Sequence, residues 1–352
     1  MVETVPIIAK HEGFLNFIPR EVSCFLRPAR AADVRSLCQS GPMTSPAARV
    51  LHTGQALVDL VVEVPALPAR GTNVMAHSAT RYAGGAVTTL VAAARDGASC
   101  VLAGSVGTGP LGELVRATLA EDAVTISSPP VPDRDTAECV VLVESGGQRT
   151  FVTTRAAERD ITAASLATSA PVAGDLVCVS GYTLLPPTRD PLLTFLHDVV
   201  PDAARVVLDP GDALDTVDPE ALEAVLARTH VWTSNADEAR ALTGADDVEG
   251  ACRAVAERLP DDAVVVVRDG PRGCHVRHAG TTVAVPGFAR RAVDTNGAGD
   301  THTGVLCAGA AAGLAWVDAA LRANAAGALT VTRRGPTSAP TRQEIDDLLA
   351  RR

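Results

Sequence analysis

From about residue 50, short apolar runs alternate with longer stretches in which apolar residues recur every three or four positions. Short runs rich in β-branched residues predict strands, and the longer period predicts amphipathic helices. The predicted strands are 50–53, 56–64, 100–106, 175–180, 205–208, 231–234 and 263–268, and the predicted helices are 88–95, 191–200, 219–227, 236–242 and 249–258. This alternation indicates an α/β fold with a mostly parallel central sheet covered by helices.

Two strand pairs interrupt the alternation. Residues 56–64 with 74–78, and residues 138–144 with 149–154, predict antiparallel hairpins, the second across a Ser-Gly-Gly turn. A small β sheet formed from about residues 56–64, 72–80 and 136–155 would account for both pairs. Lying over the edge of the main sheet, it could act as a lid that closes on a ligand.

The first 48 residues differ from the rest. They show no sustained helical or strand period before Gly41-Pro42, and Met43 stands just before the first strong strand. We expect a poorly ordered N-terminal extension over residues 1–48, whose first 42 residues are either an extension or the product of an upstream start site. A single domain over residues 49–352 would follow.

Charge and composition exclude several functions. The 352 residues include 31 Lys+Arg against 41 Asp+Glu, a formal net charge of −10, and Lys10 is the only lysine. Walker-type phosphate loops, protein kinases and Schiff-base enzymes each need a lysine, so none can be built after residue 10. The acidic balance, without an arginine run longer than two, gives no nucleic-acid footprint.

Cysteines and hydropathy indicate the compartment. The eight cysteines show no C-x-x-C and no pairing with histidine at zinc spacing, which is typical of reduced thiols. No stretch reaches the roughly 18–20 uninterrupted apolar residues of a membrane span. The opening residues lack the order of a signal peptide. We therefore expect a cytoplasmic protein without a membrane segment.

The segment 293–301, Val-Asp-Thr-Asn-Gly-Ala-Gly-Asp-Thr, precedes a run of small apolar residues. Small residues before a helix leave its first backbone N–H groups open, and the helix dipole favours an anion there. Asp300 stands in the first turn, where it could take a proton from a hydroxyl that attacks a phosphoryl group held on Gly297–Gly299. The alternative is that Asp300 only caps the helix.

Residues 294–300 match D-T-x-G-A-G-D, the signature of the ribokinase (PfkB) family of carbohydrate kinases. Over about residues 50–350 the chain resembles this family in four further segments, in order: Ala83-Gly84-Gly85, Asn235-Ala236-Asp237-Glu238, Gly270-Pro271-Arg272-Gly273 and 323–335. The resemblance implies a ribokinase-like three-layer sandwich with a β-sheet lid. It also implies transfer of the ATP γ-phosphoryl group, with Mg²⁺, to a hydroxyl of a small sugar or polyol.

The resemblance implies catalytic roles within this signature. Asp300 would be the general base that takes the proton from the sugar hydroxyl. Gly297, Ala298 and Gly299 would form an anion hole whose backbone N–H groups stabilise charge on the transferring phosphoryl group. Asp294 would contribute to a monovalent-cation site, taking K⁺, that some family members use to order the anion hole.

The resemblance also implies a nucleotide and metal side. Asn235 and Glu238 would hold Mg²⁺ through water, because Mg²⁺ dehydrates reluctantly; the alternative is a helix-start asparagine with a solvated glutamate. Arg268 ends an apolar strand, and its guanidinium is suited to binding phosphate oxygens. The alternative is that Arg268 forms a surface ion pair with Asp269 or Asp262. The residues on the nucleotide side would be Asn235, Arg268, Gly270, Gly273 and Asn324.

The acceptor side would comprise Asp59, Gly84, Gly85 and Thr88. An acidic residue such as Asp59 within an apolar strand is costly unless paired, which favours a functional role. The two glycines would let the backbone approach the sugar closely. Thr88 stands where the family usually has an asparagine, and one hydroxyl cannot replace an amide donor and a carbonyl acceptor. Ala156-Ala157-Glu158 likewise stands where many members have G-A-N. These departures leave the identity of the sugar open.

Other functions compete with the sugar kinase. Residues 107–112 fit G-x-G-x-x-G after a predicted strand, as in a dinucleotide-binding dehydrogenase, but the following strand, 124–127, ends in Ser-Pro-Pro rather than the required acid. A nucleoside kinase of the same fold is the second candidate. A non-catalytic sugar or nucleotide sensor is the third, favoured by Thr88 and by Gly109, where the family usually has aspartate. Exposed lid edges also suggest a homodimer that pairs the lids.

Overall fold

The computed structural model describes residues 48–351. The extension predicted over residues 1–48, apart from its last residue, and the start-site hypothesis lie outside this range. Within it, the strands are β1 (Arg49–His52), β2 (Ala56–Val64), β3 (Ser78–Gly85), β4 (Ser99–Leu102), β5 (Thr125–Ile126), β6 (Glu138–Glu144), β7 (Arg149–Thr153), β8 (Leu176–Ser180), β9 (Arg205–Asp209), β10 (Thr229–Asn235), β11 (Val264–Arg268), β12 (Gly273–His278) and β13 (Thr281–Pro286).

The helices follow the predicted alternation closely. Helix α5 (Pro219–Leu226), for example, begins at a proline. The side chain of the preceding Asp218 accepts from the N–H groups of Glu220 and Ala221 at 3.1 Å, which is a typical N-cap. The α-helices in the described range are α1 (Ala86–Arg95), α2 (Pro110–Glu121), α3 (Ala163–Ala167), α4 (Arg189–Asp198), α5 (Pro219–Leu226), α6 (Ala236–Thr243), α7 (Val248–Ala256), α8 (Ala298–Ala311), α9 (Trp316–Thr330) and α10 (Arg342–Leu349).

The main sheet has nine strands in the order β13-β12-β11-β10-β9-β8-β1-β4-β5. From β11 to β5 all neighbours are parallel, and β12 and β13 add an antiparallel edge. This arrangement confirms the predicted α/β fold. Because the central strands are parallel, their carboxyl ends meet at one edge of the sheet, where ligands bind in open α/β folds.

Two hydrophobic cores sandwich this sheet, because successive strand residues point to opposite faces. In β11, Val264 and Val266 join the core that α1, α8 and α9 cover, whereas Val265 and Val267 join the core that α4, α5 and α7 cover. All four valines are buried. The uninterrupted apolar run in the sequence therefore reflects burial on both faces.

A separate lid sheet has the order β3-β2-β6-β7. The β6–β7 hairpin is antiparallel as predicted, and β2 pairs antiparallel with β3 and parallel with β6. The strand predicted at 74–78 is wrong, because the chain pairs with β2 only from residue 78 to residue 85. Residues 65–77 contain two prolines and a glycine and form a loop instead. Gly84 and Gly85 end β3.

Small residues allow α8 to lie deep in the molecule. A methyl group on Gly304 would collide with the Thr89 carbonyl oxygen of α1, and one on Gly309 would lie 2.9 Å from the Ala319 Cβ of α9. Real Cβ atoms do not approach this closely, so α8 needs glycine at both points. The close packing fixes the N-terminus of α8 beneath the lid sheet.

Candidate active site

A cavity of about 530 Å³ lies between the carboxyl ends of the central strands and the lid sheet. Its walls come from the strand ends, the lid strands with the segment after β7, the start of α1 and the first turns of α8. Of the predicted site residues, Asp59, Gly85 and Asp300 line it directly. Other residues lining the cavity include His52, Gln55, Thr89, Phe151, Arg155, Arg159, Tyr182, Asp209, Asp212, Asn296 and Thr303.

The N-terminus of α8 presents open backbone donors. Gly297 is its N-cap residue, with a φ of 74°, and a Cβ there would lie 2.6 Å from the Pro336 carbonyl oxygen. Glycine is therefore required at this position. The N–H groups of Gly299 and Asp300 donate to no acceptor within residues 48–351. With the helix dipole, these donors make a site for an anion.

Asp300 lies in this first turn and faces the cavity. No side chain of the described residues donates a hydrogen bond to its carboxylate. Burial raises the pKa of Asp300 to about 7, and the Asp209 carboxylate adds to this, whereas the Arg268 guanidinium opposes it. A carboxyl group with a pKa near neutrality can exchange a proton at physiological pH. The cap alternative is not realised, because no side-chain cap bond exists at this helix.

Arg268, at the end of β11, forms a buried ion pair. Its Nη1 lies 3.0 Å from Asp209 Oδ2 and donates to the hydroxyl oxygens of Thr233 at 2.8 Å and Thr303 at 3.1 Å. Only 13% of the side chain is exposed. The alternative of a surface ion pair with Asp269 or Asp262 is therefore wrong. A methyl group on Gly299 would lie 3.6 Å from Arg268 Nη2, so the guanidinium adjoins the α8 N-terminus.

Sequence analysis did not identify Asp209 as a site residue. It ends β9 beside Ser180 in the sheet register, lines the cavity, and accepts from the Thr303 hydroxyl at 2.9 Å. The signal that could have found it is its position, because β10 and β11 also end in polar residues, Asn235 and Arg268. Adjacent parallel strands that end in polar residues bring these side chains together.

Asn235 and Glu238 form a reciprocal capping box at the start of α6. The Asn235 side chain accepts from the Glu238 N–H, and the Glu238 carboxylate accepts from the Asn235 N–H, both at 2.8 Å. The side chain of Glu238 is only 10% exposed, so the expected alternative of a solvated glutamate is wrong. Burial raises the pKa of Glu238 to about 7, and Asp209 contributes in the same direction.

The charges of this region fit a bound cation. Asp209, Glu238 and Asp300 are three carboxylates that face one guanidinium, Arg268. Residues 48–351 contain no group of three or more side chains arranged as direct metal ligands. A cation would thus bind mainly through its water molecules, as Mg²⁺ often does.

The acceptor end is built around Asp59 on β2. Asp59 is buried, and the side-chain amide of Asn296 donates to its Oδ2 at 3.4 Å. Burial raises the pKa of Asp59 to about 6, and the hydrogen bond from Asn296 opposes this rise. A Cβ on Gly84 would lie 2.7 Å from Asp59 Oδ2, and one on Gly85 would collide with the Gln55 carbonyl oxygen. Gly84 therefore gives the Asp59 carboxylate its space, and Gly85 allows the close approach of the Gln55 backbone.

Thr88 does not line the cavity. Its side chain is fully buried, and its hydroxyl has no partner within the described range. Gly85, Ala86 and Thr89 form the wall instead. Neighbouring residues of a helix point about 100° apart, so a shift of one position moves a side chain from the core to the cavity. The helix begins at Ala86 rather than at Thr88, which explains the error.

Asp294 is fully engaged. Its Oδ1 accepts from Arg149 Nη2 of β7 at 2.7 Å and from the Asn296 N–H at 2.9 Å, and its Oδ2 accepts from the Gly335 N–H at 3.0 Å. Arg149 Nη1 also donates to the Thr295 hydroxyl at 2.6 Å. A lid arginine therefore supplies positive charge where a monovalent cation was expected, and it ties the lid sheet to the segment before α8.

The remaining nucleotide-side residues lie away from the cavity wall. Asn324 is buried in α9, where its amide donates to the Val285 carbonyl at 3.1 Å and its Oδ1 lies 3.1 Å from His302 Nε2. Gly270 and Gly273 form the turn between β11 and β12, and Gly273 has a φ of 104°. Both glycines thus give the turn its backbone conformation, and Asn324 connects His302 to the Val285 carbonyl.

The glycine-rich turn at 107–112 does not bind a dinucleotide phosphate. The Asp135 carboxylate occupies the N-terminus of α2, where it accepts from the N–H groups of Leu111 at 3.1 Å and Gly112 at 2.9 Å. The chain therefore supplies its own anion where the pyrophosphate of a dinucleotide would lie. The dehydrogenase interpretation is wrong for this reason.

Comparisons with known proteins identify the family of the chain. The family model described as "pfkB family carbohydrate kinase" matches residues 47–342. An uncharacterized sugar kinase of Escherichia coli, YegV, is 29% identical over 84% of this chain and 92% of its own. The ribokinase of Bacillus subtilis is 29% identical over 84% of this chain and 98% of its own.

Solved structures show the same fold. The ribokinase of Giardia lamblia superposes with a TM-score of 0.75 at 22% identity, covering 87% of this chain and 99% of that one. The fold is thus the ribokinase-like sandwich that the sequence predicted. None of the helices described between residues 48 and 351 has the length and apolarity needed to cross a membrane. The chain belongs to the pfkB family of carbohydrate kinases, which are phosphotransferases with an alcohol group as acceptor.

Proposed function

We propose that the protein transfers the γ-phosphoryl group of ATP to a hydroxyl of a small sugar or polyol, with Asp300 as general base. The observation that supports this most directly is the arrangement at α8. The Asp300 carboxylate faces the cavity in the same turn whose Gly299 and Asp300 N–H groups have no acceptor among the described residues. One turn of helix thus offers both a base and an anion hole.

In the proposed step the acceptor hydroxyl oxygen attacks the γ-phosphorus. A new O–P bond forms, the bond to the β-phosphate bridging oxygen breaks, and ADP leaves with that electron pair. The hydroxyl proton passes to the Asp300 carboxylate, whose pKa burial raises to about 7. Gly297, Ala298 and Gly299 would surround the transferring group. The Ala298 N–H donates to the Thr295 carbonyl at 3.4 Å, so the open N–H groups of Gly299 and Asp300 would stabilise the developing charge without reorganising.

The carboxylate cluster and Arg268 belong to the nucleotide side of the proposal. Asn235 and Glu238 would hold Mg²⁺ through water, and the ion would supply positive charge beside the phosphates. Arg268 adjoins Gly299 and keeps Asp209 in place through their ion pair. The turn that carries Gly270 and Gly273, together with Asn324, would lie on the adenine side. K⁺ is not required, because Arg149 already pairs with Asp294.

The acceptor would bind between β2 and the start of α1. Asp59 and Asn296 offer an acceptor and a donor for sugar hydroxyls, and Gly84 and Gly85 let the ring approach the backbone. A nucleoside is the second candidate acceptor. Phe151 and Tyr182 line the cavity with 54% and 43% of their surfaces exposed, and aromatic faces can stack on a base.

The test is ADP release over a panel of pentoses, hexoses, sugar acids, inositols and nucleosides, with wild type and Asp300→Asn. We expect wild-type turnover with a subset of the panel, and a loss of about 10²–10⁴ in kcat for Asp300→Asn, which is the usual contribution of a general base. The affinity for ATP should stay near that of wild type. Retention of more than about a tenth of wild-type kcat, a barrier change under ~1.4 kcal/mol, would refute the assignment of the base.

Asp300→Asn also separates an enzyme from a sensor. A sensor would bind ATP or a sugar but release no ADP with any member of the panel, in wild type and variant alike. A kinase would lose turnover in the variant while its binding of ATP, measured by calorimetry, persists.

A further inference from the structure

Two arginines line the cavity, Arg155 and Arg159, and both follow β7 directly. Arg159 has a structural role. It is buried, and its guanidinium donates to the carbonyl oxygens of Tyr182 at 2.9 Å, Leu185 at 2.7 Å and Pro186 at 2.9 Å. These three bonds use both terminal nitrogens of the Arg159 guanidinium and hold the chain after β8 against the lid sheet.

Arg155 has no such partners. Within residues 48–351 no carboxylate pairs with its guanidinium and no oxygen accepts a hydrogen bond from it, although the residue lines the cavity. The adjacent acid, Glu158, is buried, and its carboxylate accepts from the N–H groups of Ala156 and Ala137. Glu158 therefore braces the junction of the lid sheet and leaves Arg155 uncompensated.

The charges in the cavity are thus segregated. Asp209 and Asp300 lie where the phosphoryl group would transfer, and Asp59 lies beside them on β2. Arg155 and Arg159 lie together at the lid side: burial lowers the pKa of Arg159, the Glu158 carboxylate opposes this, and the neighbouring charge of Arg155 lowers the pKa further. A neutral sugar needs hydroxyl partners only, and these are supplied without Arg155. An unpaired guanidinium on a cavity wall is suited to a carboxylate or phosphate, which it can bind with two parallel bonds.

We propose that Arg155 binds an anionic group of the acceptor, so that the preferred substrate is a sugar acid or a sugar phosphate rather than a neutral sugar. This inference rests on the proposed kinase function. It places the anion of the acceptor on the lid side, away from the carboxylates and from the phosphates of ATP, where repulsion between like charges is weaker. The acceptor hydroxyl then faces Asp300 from the opposite end of the molecule.

The experiment compares acceptors that differ in one anionic group: D-gluconate with D-glucitol for a carboxylate, and ribose 5-phosphate with ribose for a phosphate. We expect one of the two anionic acceptors to exceed its neutral partner in kcat/KM by about 10-fold or more, the effect of a charged hydrogen-bond partner. Arg155→Gln should remove that advantage through KM, leave the neutral partner unchanged, and bind ATP as wild type does. Arg155→Lys should restore part of the advantage.

Arg134→Gln is the matched control. Arg134 is an exposed arginine of the same region that pairs with Asp160 at 2.5 Å and does not line the cavity. It should behave as wild type with every acceptor. Raising the salt concentration should shrink the advantage of the anionic acceptor in wild type and have little effect in Arg155→Gln, because screening acts on the exposed charge pair.

The outcomes separate this inference from the proposed function. Turnover of neutral acceptors alone, with Arg155→Gln equal to wild type, would overturn the inference and leave the kinase intact. An anionic preference that survives in Arg155→Gln would also overturn it, since another residue would then bind the anion. No ADP release by wild type with any acceptor of the larger panel would overturn both proposals.

Discussion

At the scale of single residues, the protonation of Asp300 links structure to rate. Burial raises the pKa of Asp300 to about 7, so the carboxylate is half protonated near neutrality. As the proposed general base, Asp300 can take the proton of the acceptor only in its deprotonated form. The value of kcat/KM should therefore be constant above about pH 8 and fall roughly tenfold for each unit below about pH 7.

Initial rates at subsaturating acceptor between pH 5 and 9 would check this dependence. Glu238→Gln is the control, because the pKa of Glu238 is also raised to about 7. If Asp300 causes the fall in kcat/KM below about pH 7, the same fall should persist in the Glu238→Gln variant. A profile that stays flat from pH 5 to 8 would contradict the prediction.

Two glycines at the ends of α8 allow a matched comparison of strain and function. Gly297 and Gly313 have similar positive φ angles, 74° and 80°, but a Cβ on Gly297 would lie 2.6 Å from Pro336 O, whereas nothing lies within 4 Å of one on Gly313. Gly313→Ala should lower the unfolding free energy by about 1–2 kcal/mol, the cost of a left-handed alanine, without changing kcat.

Gly297→Ala should cost more stability and also lower kcat, because the collision moves the anion hole. Chemical denaturation and steady-state kinetics of the two variants would measure both effects. Equal kcat values for the two variants would show that the backbone at Gly297 does not contribute to catalysis.

The residue scale also shows where the sequence is a sufficient guide. Asp300, Gly297 and Asp59 were found because each breaks a local pattern: an acid in a helix start, small residues before a helix, and an acid in an apolar strand. Asp209 escaped because Asp-Pro after a strand is also typical of a turn. Thr88 was chosen because it stands where the family usually has an asparagine. Which side chain faces the cavity depends on the first residue of the helix, which a sequence does not define to one position.

At the scale of elements, the ion pair between Arg149 and Asp294 joins the lid sheet to the loop before α8. The two side chains are 18% and 16% exposed, so solvent screens the pair only in part. Arg149→Gln should lower kcat and increase hydrogen exchange at Thr295–Gly297, because Asp294 also orders the Asn296 N–H. Hydrogen-exchange mass spectrometry and steady-state kinetics would measure these effects.

Arg81→Gln is the control for this variant. Arg81 pairs with Glu138 at 2.6 Å within the lid sheet and has a more exposed side chain, so its loss should change neither quantity. Equal exchange at Thr295–Gly297 in both variants would contradict a link between the lid sheet and the anion hole.

Elements were predicted best where the local signal is strong, either in a strand that is buried on both faces or at a capped helix start. The valine run of β11 and the capped start of α5 were placed within a residue or two. β3 was misplaced because its register depends on contacts that are distant in sequence, with Ala56 opposite Gly85 and Glu63 opposite Ser78. A register of this kind follows from the partner strand rather than from the local sequence.

At the scale of the whole molecule, the cationic groups of the described domain are arginines and histidines, since Lys10 is the only lysine of the chain. Phosphate handling must then depend on backbone donors, metal and arginine. Acetylation with an amine-specific ester at neutral pH should leave kcat and KM for ATP unchanged, whereas the arginine reagent phenylglyoxal should inactivate the enzyme. Inactivation by the ester that ATP prevents would contradict this expectation.

Association of two copies through the lid stays a prediction. Phe151 and Val152 on the edge strand β7 are 54% and 59% exposed, which is unusual for large apolar side chains. Sedimentation of wild type and of Val152→Glu would decide between a monomer and a lid-paired dimer. A monomeric wild type would exclude the dimer.

The order of the cavity wall along the chain has an evolutionary consequence. In the proposed function, the lid strands and the start of α1 would surround the acceptor, whereas Asp209, α8 and the loops around them would handle the phosphoryl group. The two tasks therefore divide near the end of β9. Recombination between related genes at that point would exchange the specificity for the acceptor while keeping the transfer machinery, provided that Asn296 still meets an aspartate at position 59. Descendants of such a protein could acquire new substrates in a single genetic event.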